Sequence, residues 1–299
     1  MSNVTTRGTF PKVLQEGVAA FFGAAYTNFP REFADIYDIK SSEKAFEEHV
    51  ELVNIGLAPV KDEGASVAYT SMKQGDTYRA QHVSYAIGMI VTREAIRDNL
   101  YMQVAKQRTD TIARSISNTE NIIAMLPLNR AFDAAFPRAD GVALCSDSHP
   151  TAVGTTQSNL LNSDLSHAAL EDAVILAETT KANNGDPILI RSKALIVPTA
   201  LKLTANKILQ SVNQSGTANN DINILRALDT FPEGVKAKRF LTNGWFVQTD
   251  AEMPVYYERE KPQMANDVEF DSGNAKMHCL FSSSQLWHEF RNVIGSSQV

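Results

Sequence analysis

From Thr92 to Leu126 the chain contains neither glycine nor proline, and Pro127 follows the run. Within it Ile96, Leu100, Val104, Ile112 and Ile116 fall on a four-residue spacing, interrupted at Arg108 and continued approximately by Ile123. Apolar residues four apart mark one stripe of an α-helix. Thr92 is a suitable N-cap, with Arg93 and Glu94 in the first turn. At 1.5 Å per residue, about 30 residues make a rod of roughly 45–50 Å. Globular helices average about 11–12 residues. Two solutions are open: one uninterrupted rod ending at Pro127, or two helices broken near Ser115-Ile116-Ser117-Asn118.

The segment before the rod has the other period. Val50 and Leu52 share one face, with Val53 and Ile55 after a switch; Val67, Tyr69 and Ser71 alternate, and Val83, Tyr85, Ile87 and Met89 alternate with His82, Ser84 and Ala86. Period two means strand. Pro59-Val60-Lys61-Asp62-Glu63-Gly64 and Lys73-Gln74-Gly75-Asp76 are turn-rich and charged. These residues predict a long hairpin whose distal part has too few apolar residues for a core of its own. An isolated hairpin is marginal in water, so this one needs a surface to lie on. A long hairpin followed by a long helix predicts an elongated, plate-like subunit.

Further along, Leu165-Ser166 opens an apolar-periodic helix over 165–182, and Gly185-Asp186-Pro187 leads to β-runs at Ile188, Ile190 and Leu195-Ile196-Val197. Pro198 starts a second helix carrying Leu201, Ala205, Ile208 and Leu209, at the position where its missing N–H costs nothing. Residues 211–224 are Asn-rich and read as a surface loop. Phe240-Leu241, Trp245-Phe246-Val247, Val255-Tyr256-Tyr257, Val268-Glu269-Phe270 and Met277 to Phe281 read as strands. Near the start, Phe10, Val13, Leu14, Val18, Phe21 and Phe22 predict a short amphipathic helix before Pro30. No internal repeat and no low-complexity segment occurs.

Charge and cysteine use narrow the function classes. The net charge of −6 argues against sequence-specific nucleic-acid binding, which leaves a basic footprint. It is compatible with a DNA container. Two cysteines, Cys145 and Cys279, are too few for a disulfide framework and fit a reducing cytosol during synthesis. No apolar run approaches the roughly 18–20 residues of a membrane span, and the first residues have no secretory pattern.

The common catalytic motifs (GxGxxG, a Walker loop, GxSxG, HExxH and CxxC) are absent. Cys145, Ser146, Asp147, Ser148 and His149 look like a reactive cluster, but chain neighbours rarely aim at one point. A hydrogen-bonded turn around a small buried thiol is the expected reading. Cys145 and His149 with His278 and Cys279 match no structural zinc spacing. His49 and His82 are expected in the hairpin strands, His167 early in a helix and His288 beside Trp287, all in packing or surface roles. Glu47-Glu48 and Glu171-Asp172 are read as solvated pairs. No catalytic, cofactor or metal residue is therefore expected.

The order of elements, an arm, a long hairpin, a long helix, a mixed α/β block and a closing β segment, is similar to the Hong Kong 97-type capsid fold of tailed double-stranded-DNA phages. The motifs that carry the likeness are Tyr78 to Ile90 leading into Thr92-Arg93-Glu94-Ala95-Ile96, then Leu165-Ser166 with Ala168-Ala169-Leu170-Glu171. They continue with Leu195-Ile196-Val197-Pro198, Trp245-Phe246-Val247 and Tyr257-Glu258-Arg259. The resemblance covers most of the chain, and order and spacing carry it. It implies an α+β fold with an N-terminal arm (1–34), an extended hairpin loop (35–91), a peripheral domain with the spine helix (92–164 and 250–299) and an axial domain (165–249).

The resemblance implies a major capsid protein that assembles into pentamers and hexamers of an icosahedral head. It would enclose double-stranded DNA, build in the host cytoplasm and reside in the virion, with no membrane and no cofactor. Partners implied are further copies of the chain, a scaffolding protein, a portal and a decoration protein. The arm is short beside relatives that fuse a scaffolding domain there, so scaffolding is expected from a separate protein, or the chain is a form lacking that domain. Some relatives join a Lys to a neighbour's Asn; Lys61 and Lys73 lie where such a Lys would be, and are read as solubilising charges. Inter-subunit contacts are expected at Lys61, Asp62, Glu63 and Lys73 of the hairpin and at Phe10 and Leu14 of the arm. Three rival readings are an encapsulin-like compartment with a protein cargo, an α/β enzyme using the Cys145/His149 region, and another virion part such as a tail or decoration protein, against which the long helix after the long hairpin speaks.

Overall fold

The described part of the long run forms one helix. In a computed structural model, which describes residues 22–23, 25–92, 101–213, 221–269 and 271–298, helix α1 spans Tyr101–Asn129. The Ser115–Asn118 patch does not break it: Ile116 and Ser117 are buried and Asn118 faces solvent, as an amphipathic helix requires. Its 29 residues correspond to about 43 Å. Pro127 does not end the helix as expected but lies inside its last turn. The lost N–H bond is outweighed by burial around it, because Met125, Leu128 and Ala131 are each at most 1% exposed. The expected helix start, Arg93 to Leu100, lies outside the described residues.

The described residues within 1–47, 80–124 and 256–285 make one compact unit, and those within 48–79, 125–255 and 286–299 make another. In the first, strands β1 (Asp38–Ser41) and β4 (Val83–Val91) flank two long ones, β11 (Val255–Val268) and β12 (Ala275–Leu286), in the order β1-β11-β12-β4. β12 and β4 are antiparallel, from Ala275 opposite Val91 to Ser283 opposite Val83. That register sets Phe281 against Tyr85, whose rings stack at 5.1 Å. Tyr85 and Met89 of β4 and Cys279 and Phe281 of β12 pack with Ile112, Ala113, Ile116 and Ile123 of α1. Period-two residues of the sheet thus meet the four-residue stripe of the helix. Pro262 is accommodated within β11.

The second unit is built on a five-stranded mixed sheet, β7-β13-β10-β8-β9. Its members are β7 (Leu160–Leu161), β8 (Ser192–Pro198), β9 (Val235–Lys238), β10 (Trp245–Thr249) and β13 (Val293–Ser296). β10 pairs antiparallel with both β13 and β8, while β8–β9 and β13–β7 are parallel. Every residue of β10 and β13 is buried, which accounts for the unalternating apolar runs Trp245-Phe246-Val247 and Val293-Ile294. Trp245 and Val247 face α2 (His167–Thr179) and α3 (Lys202–Gln210) in one core with Leu170, Leu195, Val197 and Ile208. Phe246, on the opposite face, stacks on Phe132 at 5.4 Å.

Several expectations are corrected. Ile188 and Ile190 lie outside any strand, and Phe240-Leu241 sit in a turn region after β9. Pro198 closes β8 and caps a 3-10 turn, Thr199–Leu201, that runs into α3. The strand runs at 255–257 and 268 are two ends of β11, continuous because β1 and β12 supply its pairing. No helix among the described residues is long and apolar enough to cross a membrane.

Candidate functional site

Cys145 and His149 are packing residues. Cys145 is 3% exposed, and burial pushes its thiol far above the ordinary range, away from the reactive thiolate. The His149 ring is fully buried and stacks on Phe290 at 4.0 Å. Its Nδ1 lies 2.8 Å from Asp140 Oδ2 and its Nε2 3.0 Å from Asn159 Oδ1. Asn159 donates to the carbonyls of Leu144, Phe290 and Val293 and accepts from the Ser146 N–H. Burial alone would raise the Asp140 carboxyl, but the hydrogen bond to His149 and the Arg138 charge hold it below the ordinary carboxylate range. Arg138 also donates to the carbonyls of Trp287 and His288. The cluster fixes the 138–159 turns against residues 287–293.

The remaining histidines and Cys279 divide by surroundings. His82 is bracketed by the hydroxyls of Ser42 and Ser284 at 3.1 and 3.0 Å. His167 faces Asn223 Oδ1 at 3.1 Å. Cys279 is buried in the first unit's core, and its thiol is pushed up to about 12 by burial. In the same unit Tyr26 and Glu120 share a hydrogen bond, and Arg31 reaches Glu258 at 2.6 Å and the Tyr26 hydroxyl at 3.0 Å. Burial raises both the Tyr26 phenol and the Glu120 carboxyl. This network ties the segment before β1 to α1 and β11.

The hairpin is the most exposed region of the second unit. Its strands are β2 (Phe46–Val53) and β3 (Lys73–Gln81). Residues 54–72 between them hold no strand, so the alternation at Val67, Tyr69 and Ser71 does not make one. Lys73-Gln74-Gly75-Asp76, expected as a turn, instead opens β3. The alternation at 67–71 lacks a pairing partner opposite, whereas 73–81 has one in β2. Leu57 is 73%, Val60 95% and Tyr69 94% exposed. Lys61, Asp62 and Glu63 are exposed within this span, and Lys73 is exposed at the start of β3. Phe10 and Leu14 lie outside the described residues.

At the hairpin base a second cluster forms that sequence reasoning missed. Asn183 donates to the Glu51 carboxylate, and Arg291 donates to Asn183 Oδ1 at 2.8 Å. Beside them a cavity of about 440 Å³ is lined by polar groups that include His49, Glu51, Asn183, Glu252, His288 and Glu289. The His49 and His288 rings lie 4.0 Å apart, tilted by 31°. No local spacing signals this meeting, because residues 49, 252 and 288 come from three distant segments.

Against known proteins, the family model for phage capsid proteins matches residues 76–280. No curated protein matches the sequence. Among solved structures, the capsid of Ralstonia phage GP4 is similar with a TM-score of 0.54 at 10% identity, covering 87% of this chain and 86% of that one. A chain from Mycobacterium phage Adephagia gives a TM-score of 0.56 at 10% identity, with 90% of each chain covered. A virus-like particle from Pyrococcus furiosus gives 0.54 at 7% identity, covering 95% of this chain and 99% of that one. At these identities the structural likeness speaks for the fold, and the family match for the kind of protein.

Proposed function

This chain belongs to the phage capsid protein family, and from that premise we propose how it builds a head. It is a major capsid protein with the Hong Kong 97-type fold, a structural subunit of the virion and not an enzyme. Copies associate into pentamers and hexamers by heterologous contacts, which generate closed rings when the rotation closes. The observation that carries the reading is the 54–72 span: Leu57, Val60 and Tyr69 stand in solvent with no core of their own. Large apolar side chains left this exposed within one span are suited to burial against a partner. It lies across an adjacent subunit, with Lys61, Asp62, Glu63 and Lys73 at the rim and the arm residues Phe10 and Leu14 as a second contact.

In this reading residues 1–34 are the arm, 35–91 the extended loop, 92–164 with 250–299 the peripheral domain, and 165–249 the axial domain. The core that joins α2, α3, β8 and β10 lies mostly within 165–249 and also takes in Ile294 of β13. Assembly takes place in the host cytoplasm with a separate scaffolding protein and a portal, and a decoration protein binds the finished head. The enclosed double-stranded DNA is held without sequence readout, consistent with the net charge of −6. The compartment rival shares the fold, so the Pyrococcus furiosus likeness does not separate the two; the phage capsid family match favours DNA as cargo.

The test is negative-stain electron microscopy of the purified full chain, alone and with its scaffolding protein. Closed shells, or hexameric and pentameric rings, are the expected result. A stable monomer or dimer under all conditions would overturn the reading.

A further inference from the structure

His288 is the least explained polar side chain of the second unit. It is 7% exposed, yet neither ring nitrogen makes a hydrogen bond. Nε2 lies 3.3 Å from Glu252 Oε1, near enough for attraction but without hydrogen-bond alignment. A buried imidazole without hydrogen-bond partners is costly, and such a group calls for an explanation. His49 presents its ring to the same point from β2. His49, Glu252 and His288 each offer one ligand atom, and the three atoms lie within 4.8 Å of one another.

We propose that His49, Glu252 and His288 form a binding site for a divalent transition metal ion of the zinc type at the base of the hairpin. Two imidazoles and one carboxylate are a donor set that suits zinc and its neighbours, with water completing the coordination. Bonds of about 2.0–2.2 Å require the donor atoms to close to roughly 3.3–3.5 Å. The approach is short, and Glu252, with 65% of its side chain exposed, is free to make it. The His288 main chain is anchored, because its carbonyl accepts from Arg138 Nη2 at 2.5 Å. The cavity carries two further carboxylates, Glu51 and Glu289, and Arg291 is engaged by Glu289, Asn183 and the Lys181 carbonyl. Cavity and donors together favour a small cation. Bound there, it clips β2 to the segments at 252 and 288, closing loops of long span where a cross-link restricts the unfolded chain most. The site lies within one chain and does not depend on the shell reading.

The test uses the full chain without an affinity tag, stripped with chelator and titrated with Zn²⁺ by calorimetry and with Co²⁺ by visible absorption. One ion per chain is expected, with Co²⁺ ligand-field bands of low coordination number. His49→Ala and Glu252→Gln are each expected to weaken binding at least about tenfold, the lower bound seen even when an outer partner of a metal ligand is lost. Circular dichroism checks that each variant is folded, and the exposed Glu252→Gln substitution keeps the test valid if a histidine variant does not fold. No stoichiometric binding, or binding that both variants leave unchanged, would overturn the proposal.

Discussion

Asp140 sits between Arg138 at 3.2 Å and His149 at 2.8 Å, with 5% of its side chain exposed. Its carboxyl titrates below the ordinary range in the folded chain. A depressed folded value means that the carboxylate stabilises the fold fully above the unfolded pKa of about 4, and that this contribution is lost as pH falls through the lower folded value. Asp140→Asn is therefore expected to destabilise the chain by roughly 1–3 kcal/mol at neutral pH and to flatten its acid dependence below about pH 5. Urea melts of both forms across that range check it; parallel curves for the two would show that another group governs. The sequence marked His149 as notable but gave no hint of Asp140 or Asn159 as its partners, since hydrogen-bond geometry is not a property of spacing.

At the scale of elements, α2 begins at His167, two residues inside the predicted 165–182, because Ser166 serves as its N-cap. Ser166 accepts from the Ala169 N–H at 3.2 Å, and Leu165 just before the cap shares a core with Leu170. That combination of cap and flanking apolar pair fixes the entry of the chain into the helix. Ser166→Ala is expected to cost about 1 kcal/mol in chemical denaturation without loss of fold. The hairpin calls for a different experiment, because its exposed apolar residues contribute nothing to the isolated chain. Leu57→Asp with Tyr69→Asp is expected to leave the melting temperature within about 2 °C and to abolish shells seen by electron microscopy. Intact shells from the double variant would remove the hairpin from the contact. Strands were legible where alternation was one-sided, as in β4. They were missed at β9 and β13 and truncated in β11, where burial on both faces or pairing by distant strands replaces a local pattern.

At the scale of the whole molecule, the proposed shell is expected to draw its stability from many modest contacts per subunit, with avidity making their sum large. Lys61 and Lys73 are exposed in the hairpin and are expected to act as solubilising charges. Boiled, denatured shells should then migrate as single chains on a denaturing gel; a ladder of covalent multimers would contradict this. What the sequence determined by itself was the α+β class, the long helix with its four-residue stripe and the shortage of apolar residues in the distal hairpin. These follow from period and composition, which are local. Only the tertiary structure decided that Pro127 stays within α1, that β10 is the middle strand of a mixed sheet, and that His149 is locked between Asp140 and Asn159. It alone brought His49, Glu252 and His288 to one cavity. Each of these depends on side chains far apart in the chain meeting in a low-dielectric interior, and no local pattern encodes which distant partner arrives.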